Sequence, residues 1–354
     1  MSIEKIMEEK ELQGILITNI LNVRYLTGFS GSTGLALVTR DKKYFITDFR
    51  YVSQGEKEVT KNGFVLVRED KNPLGKIEEL LRENEVKNLG IEDQSVTLSQ
   101  MESFKKNFPE IKYHNLEDDF LKLRMIKKDY EIKIIKESIK IAEEALKSTI
   151  PQIKIGISER ELCAILEYEM KRRGADKPSF DIIVASNDRS ALPHGVASDK
   201  IIEEGFLTID YGCFYKGYAS DITRTFYVGK HPTEKHMEIY NIVKEANERA
   251  IEAIKPGITT KELDKIARDY ITEKGYGDKF GHGLGHGFGL QIHEYPFVSS
   301  KATEVTLEPN MVITIEPGIY IENFGGVRIE DDILITKNGY EVLTGVSKEF
   351  QKLS

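Results

Sequence analysis

The sequence predicts two α/β domains, a small one over residues 1–122 and a larger one over residues 123–354 whose two halves repeat each other. Three observations carry this expectation. The 354-residue chain exceeds the usual size of one domain. Its first third alternates strand-like apolar runs with charged helical stretches. Its remainder runs through one ordered series of helix start, helix stop and strand-borne acid, and then through a second such series.

In the first third the strand-like runs are Ile15 to Thr18, Leu35 to Thr39, Tyr44 to Thr47 and Val65 to Arg68, with Lys76 to Asn84 as a charged helix. From Arg124 to Thr149 the pattern becomes one long amphipathic helix. Ile126, Tyr130, Ile134, Ile135, Ile139, Ala142 and Leu146 recur at three- and four-residue spacing among charges. This helix opens the second domain near Leu123. Next, Gly156-Ile-Ser-Glu-Arg-Glu-Leu162 finds a counterpart in Gly257-Ile-Thr-Thr-Lys-Glu-Leu263. Ser158 with Glu161, and Thr259 with Glu262, read as capping boxes that satisfy free N–H groups in a helix's first turn. Each helix then runs, over the same spacing, to a glycine that stops it, Gly174 or Gly275. Thr208-Ile-Asp-Tyr-Gly212 is echoed by Thr314-Ile-Glu-Pro-Gly318, and each acid is followed by a second, Asp221 after Asp210 and Glu330 after Glu316. The intervening segments, rich in Gly, Tyr and Asn, suit hairpins or loops. Two like halves about a pseudo-twofold axis account for the series.

Composition removes several classes of function. Lysine plus arginine number 50 against 58 acids, a formal net charge of -8 with no basic tail or stripe, so nucleic acid is not an expected partner. Met1 to Lys10 has neither the basic stretch and apolar run nor the cleavage site of a secretory leader. The longest apolar runs are strand-sized, far short of a membrane span. A soluble cytoplasmic protein is expected. Cys163 and Cys213, the two cysteines, stand far apart and form no zinc-binding pair.

The chemistry gathers on acids and histidines. Asp210, Asp221, Glu316 and Glu330 all lie in apolar surroundings, where a carboxylate is costly unless paired, hydrogen-bonded or bound to a cation. Arg224 and Arg328 offer some positive charge, and together the four acids favour a metal site. Phe280-Gly-His-Gly-Leu-Gly-His-Gly-Phe-Gly-Leu290 places His282 and His286 in a glycine-rich segment that can approach a site closely, with His293 beyond it. That segment matches neither the dinucleotide spacing nor the Walker pattern, and His293-Glu294 has no second histidine to complete a zinc-protease motif. His194 follows a strand-like run and lies where a loop could aim it at a site. His231 and His236, in the polar connector between the halves, are read as solvated.

With these residues in view, the segment from about Leu123 to Leu343 resembles the pita-bread metallopeptidases, which include methionine aminopeptidase, Xaa-Pro dipeptidase (prolidase) and aminopeptidase P. Asn22-Val-Arg-Tyr-Leu-Thr-Gly-Phe-Ser-Gly-Ser32 and Thr47-Asp-Phe-Arg-Tyr51 resemble the amino-terminal domain shared by the proline-specific members and creatinase. The resemblance implies a creatinase/prolidase-like first domain and a pita-bread catalytic domain of pseudo-twofold α+β architecture. The family's ligand pattern of two aspartates, one histidine and two glutamates falls on Asp210, Asp221, His286, Glu316 and Glu330, with none missing.

What the resemblance implies for function is hydrolysis of the bond before proline in dipeptides or short peptides. Two divalent ions are implied, manganese or cobalt, with zinc as a further candidate, a bridging hydroxide as nucleophile and Glu316 as general base. Four carboxylates among five ligands also suit a hard ion such as manganese. His293 and His194 match histidines that contact the substrate and stabilise the tetrahedral intermediate, and His282 matches a histidine that either supports the metal ligands from behind or lies on the substrate side. Arg328, two residues before Glu330, would share its face on a strand and either bind the product's carboxylate or buffer the acids. A homodimer is implied. The alternative is an aminopeptidase P acting on longer peptides. A creatinase-like amidinohydrolase, or a binding module without catalysis, fits less well because all five ligands are present.

Overall fold

A computed structural model describes residues 2–353, and the chain divides after Arg124 into two units. The first is built on a six-stranded sheet with the spatial order Val65–Arg68, Lys43–Thr47, Leu35–Thr39, Gly14–Ile17, Asn88–Ile91 and Lys112–Asn115. Gly14–Ile17 is buried along its whole length, which fits its place inside the sheet between the antiparallel Leu35–Thr39 and the parallel Asn88–Ile91. Leu16, Leu37 and Ile46 pack with Ile77, Leu80, Leu81 and Phe104 from the helices Pro73–Glu83 and Leu98–Asn107. Each such side chain contributes about 1.5–3 kcal/mol through its removal from water.

Two of these strands are not foreseen from the sequence. Asn88–Ile91 carries only two large apolar residues, and Lys112–Asn115, a polar edge strand, carries none but Tyr113. Their pairing comes from parallel neighbours distant in the chain, which no local pattern announces.

In the second unit the long helix runs over Asp129–Thr149, not from Arg124. The shorter helix Glu117–Met125 ends first, and residues 126–128 leave helical geometry because Lys127 is drawn aside. Its N–H donates to the Asn310 carbonyl (2.9 Å), and its ammonium reaches the buried Glu294 (3.4 Å). Glu131 then accepts from Lys128 N–H (2.9 Å) to restart the helix. Ile132, Ile135, Ile139, Ala142 and Leu146 face inward, whereas Tyr130 lies 49% exposed.

The repeat is plain in the backbone. Helices Asp129–Thr149 and Glu159–Arg172 lead to strands Ile183–Ser186, Gly205–Tyr211 and Ile222–Val228. Helices Glu234–Glu252 and Thr260–Glu273 lead to Gly285–Gly287, Val312–Ile315 and Asp331–Thr336. The loop entering the second helix of each half is held alike: Gly156 N–H donates to Ile202 O and Ile202 N–H to Ile157 O, as Gly257 N–H does to Leu307 O and Leu307 N–H to Ile258 O. Gly174 (φ 101°) and Gly275 (φ 86°) stop the helices in the left-handed region that glycine alone enters freely. Thr259 and Glu262 complete a reciprocal capping box, while at Ser158 the hydroxyl caps Glu161 N–H without the return bond. In the first half the sheet order is Lys352–Leu353, Ile222–Val228, Gly205–Tyr211, Ile183–Ser186. In the second it is Glu294–Val298, Gly285–Gly287, Val312–Ile315, Asp331–Thr336, Gly339–Val342. Among the described residues no helix is long and apolar enough to cross a membrane.

Candidate metal centre

The acids stand where the central strands of each half end. Asp210 lies in Gly205–Tyr211 opposite Thr223, and Asp221 immediately precedes Ile222–Val228. Glu316 follows Val312–Ile315, and Glu330 precedes Asp331–Thr336, whose first residue pairs with Ile315. Asp221, His286 and Glu330 can each offer a ligand atom, all within 4.8 Å of one another. His286 Nε2 is also 3.5 Å from Asp221 Oδ2 and 3.4 Å from Glu316 Oε1.

These side chains line one cavity of about 670 Å³, together with His194, His282, His293, Arg328 and an apolar wall that includes Phe180, Ile183, Ile292 and Phe297. The five expected ligands, the three histidines expected on the substrate side and Arg328 therefore meet there, whereas Arg224 does not. His194 and His293 are solvent-exposed on its rim, and His286 is buried among the acids. His231 and His236 lie elsewhere. His231 N–H donates to Glu204, and the His236 ring packs 4.7 Å from Phe324 and 4.8 Å from Phe206.

The neighbours that hold the acids are hydroxyls which the sequence reading passed over. Thr223 Oγ1 donates to Glu330 Oε2 (2.7 Å), and Thr314 Oγ1 lies 3.4 Å from Glu316 Oε1 while accepting from His286 N–H (3.1 Å). Each threonine stands two residues from an acid, Thr223 after Asp221 and Thr314 before Glu316, and this same-face spacing along an extended chain was the available signal. Asp332 Oδ2 accepts from Asp221 N–H (3.3 Å).

The two arginines part company. Arg224 does not serve the four acids. Its Nη2 pairs with Asp331 (2.7 Å), and its Nε and Nη2 also reach the Val346 carbonyl. Arg328 ends the strand Gly325–Arg328, so it does not share a strand with Glu330. It is 3% exposed and donates to Asp210 Oδ2 (2.6 Å), Tyr320 Oη (2.8 Å) and Thr223 Oγ1 (3.2 Å). Tyr320 in turn bonds His282 Nε2 (2.8 Å). His282 Nδ1 faces the Gly283 carbonyl (2.7 Å), which can only accept, so Nδ1 carries the proton and Nε2 accepts from Tyr320. Burial, with Arg328 adding to it, holds His282 down at about 4.

The acids strain against one another. Burial pushes Asp221 and Glu330 well above the usual carboxylate range, and the neighbouring acids push further. Burial raises Glu316 to about 8, with Arg328 pulling it back and Asp210 opposing. Burial lowers His286 to about 3, helped by His293. His286 Nδ1 faces the Gly287 carbonyl (3.1 Å) and must carry the proton, so its Nε2 lone pair points at carboxylate oxygens. A lone pair and carboxylates converging on one space repel unless a cation lies between them. Asp210 Oδ1 is likewise buried without a hydrogen-bond partner among the described residues. An imidazole nitrogen oriented by a carbonyl on its other side, with oxygen donors around it, is a donor set for divalent metal.

Comparison with known proteins points to the same class of chemistry. Residues 133–337 match metallopeptidase family M24, and residues 2–126 match the creatinase/prolidase N-terminal domain. The chain is 46% identical to the Xaa-Pro dipeptidase of Pyrococcus furiosus over 346 residues, covering 98% of this chain and 97% of that one. It superposes on an Xaa-Pro dipeptidase structure from Bacillus anthracis with a TM-score of 0.94 at 46% identity, covering 99% and 98% of the two chains. An X-Pro aminopeptidase structure from Thermotoga maritima gives 0.91 at 38% identity, covering 98% and 100%.

Proposed function

The chain belongs to metallopeptidase family M24, and from that premise we propose that it hydrolyses the Xaa-Pro bond of dipeptides, with two divalent ions held by Asp210, Asp221, His286, Glu316 and Glu330. The observation that carries the reading is the convergence of Asp221, His286 and Glu330 within 4.8 Å, beside Glu316 and an unpartnered Asp210 oxygen. The dipeptidases among its relatives supply the substrate class. When bound, the ions supply Lewis acidity, polarising the scissile carbonyl and making water in the cleft acidic enough to attack near neutral pH. Manganese is the metal we assign, since four of the five donors are carboxylates.

The chain's own residues do the rest. Glu316 takes the proton from the attacking water and returns it to the leaving proline nitrogen. His194 and His293, on the cavity rim, donate hydrogen bonds to the oxygen that gains charge in the transition state. Arg328 keeps Asp210 oriented, with its donors directed at Asp210, Tyr320 and Thr223. His282, held by Tyr320, forms part of the substrate wall. The resemblance also makes the enzyme a homodimer.

The test is hydrolysis of Ala-Pro, Ala-Pro-Ala and Ala-Ala by chelated enzyme and after manganese, cobalt or zinc is restored. Metal-dependent cleavage of Ala-Pro in preference to the other two is the expected result. Activity in the chelated enzyme, or equal cleavage of Ala-Ala, rejects the reading. Faster cleavage of Ala-Pro-Ala replaces dipeptidase by aminopeptidase, the activity of the Thermotoga maritima neighbour.

A further inference from the structure

Two cationic side chains, Arg328 and Lys301, line the cavity among the described residues. Arg328 is buried and its Nε, Nη1 and Nη2 donate to Thr223, Tyr320 and Asp210, so it has little to offer a ligand. Lys301 is exposed, and its ammonium has no ion-pair or hydrogen-bond partner among the described residues. It sits in the turn after Glu294–Val298, the strand that begins directly beyond His293.

The position of that turn is fixed from both sides. Val298 pairs with Gly285, and Phe297 with His286, so the strand's end runs beside the glycine-rich segment. A Cβ placed on Gly283 would stand 2.9 Å from the Ser299 Cβ, so this glycine lets the turn close against the residue after His282. Ser299 Oγ then accepts from Lys301 N–H (3.2 Å), and Ser299 O accepts from Ala302 N–H (3.2 Å). Ile292, Phe297 and Ala302 give the same side of the cavity an apolar surface.

A dipeptide cleaved before proline presents, beyond the scissile bond, an apolar ring followed at once by a free carboxylate. In a longer peptide an uncharged amide takes that place. A carboxylate that leaves water for this apolar side of the cavity is costly unless a cation meets it. We propose that Lys301 pairs with the substrate's terminal carboxylate and is the residue that favours dipeptides over longer or blocked peptides. This rests on the Xaa-Pro reading above. Lysine suits the task because its flexible stem and compact charge can follow a carboxylate whose exact position varies with the substrate.

The experiment compares manganese-loaded wild type with Lys301→Met and Lys301→Arg on Ala-Pro and on Ala-Pro-amide, which lacks the carboxylate charge. Lys301 is exposed and outside the metal-binding set, so neither variant threatens the fold. For Ala-Pro, Lys301→Met should raise KM about tenfold with kcat within about twofold, the size of one charge-assisted contact at a partly solvated site. Lys301→Arg should recover most of that loss. For the amide the KM of all three enzymes should agree within about twofold, and the rise of KM with ionic strength seen for wild type on Ala-Pro should vanish in Lys301→Met. An unchanged KM for Ala-Pro in Lys301→Met overturns the proposal. So does an equal loss on both substrates, which would make the lysine's effect indifferent to the carboxylate. If wild type cleaves neither substrate, the Xaa-Pro reading falls, and this inference with it.

Discussion

Removing metal should turn the acid cluster against the fold as pH rises. Asp221, Glu316 and Glu330 are held above their ordinary range, by burial first, and Glu316 lies at about 8 against an ordinary 4.5. A carboxyl raised in this way binds its proton more tightly when folded than when unfolded. These carboxyls therefore cost the metal-free fold stability as pH climbs from their unfolded value through the folded one, while His282 and His286, held below their ordinary 6.5, work in the opposite sense below that pH. One such group costs about 1.4 kcal/mol per pH unit inside that window, so Glu316 alone amounts to about 5 kcal/mol at most by pH 8. For a unit of this size about 1 kcal/mol corresponds to ~2–4 °C. The melting temperature of chelated protein should fall by about 3–6 °C between pH 7 and pH 8, where His282 and His286 are neutral folded or unfolded and the carboxyls alone set the slope.

Restoring manganese should reverse the sign, because the ion binds the ionised carboxylates that destabilise the metal-free fold. At a thousandfold excess over Kd it adds about 4 kcal/mol, or ~8–16 °C, and the gain should grow from pH 5 to pH 8 as protons cease to compete. The chain has no tryptophan, so differential scanning calorimetry is the assay of choice. A chelated protein whose melting temperature is flat or rises between pH 7 and pH 8, and which manganese leaves unchanged, would refute the reasoning. The four acids would then be neutralised within the protein itself.

Three further outcomes are expected. Asp221→Asn or Glu330→Gln should abolish hydrolysis and lower the metal content, and a variant retaining two metal equivalents and full turnover by elemental analysis removes that residue from the ligand set. His293→Ala and His194→Ala should keep their metal but lose about a hundredfold or more in kcat; a metal-free variant would instead make the histidine a ligand. Lys127→Met should lower stability in urea by about 3 kcal/mol, because it removes the ammonium beside the buried Glu294 (4% side-chain exposure), and adding Glu294→Leu should restore part of it. Equal stability of the single variant and the parent counts against a paired role for Lys127.

Much of the second unit was legible because its signals are local and occur twice. The caps at Ser158 and Thr259 and the stops at Gly174 and Gly275 need only their own helices to be read. The break before Asp129 was not legible, since the apolar spacing runs straight through it. What ends the helix is Lys127 reaching Asn310 and Glu294, more than 160 residues away in sequence. The strands Asn88–Ile91 and Lys112–Asn115 fail for the same reason, their order being set by distant parallel partners.

The site shows where such reading stops. Arg224 and Arg328 each lie within three residues of a candidate ligand, Asp221 or Glu330, and local sequence offers both as counter-charges to the acids. The fold sends Arg224 to Asp331 and to backbone carbonyls, leaving Arg328, paired with Asp210, as the one guanidinium among the cluster in the described residues. Four carboxylates against one guanidinium leave three negative charges in a place from which water is largely excluded, with the His286 lone pair aimed among them. Protonation can relieve that, as the raised pKa values of Asp221, Glu316 and Glu330 express, but a protonated acid is a poor ligand and a poor base. Two divalent ions supply four positive charges and relieve it with every carboxylate ionised. The charge deficit left by the departure of Arg224 is thus the feature that makes a metal-dependent hydrolase of this cluster rather than a set of buried ion pairs.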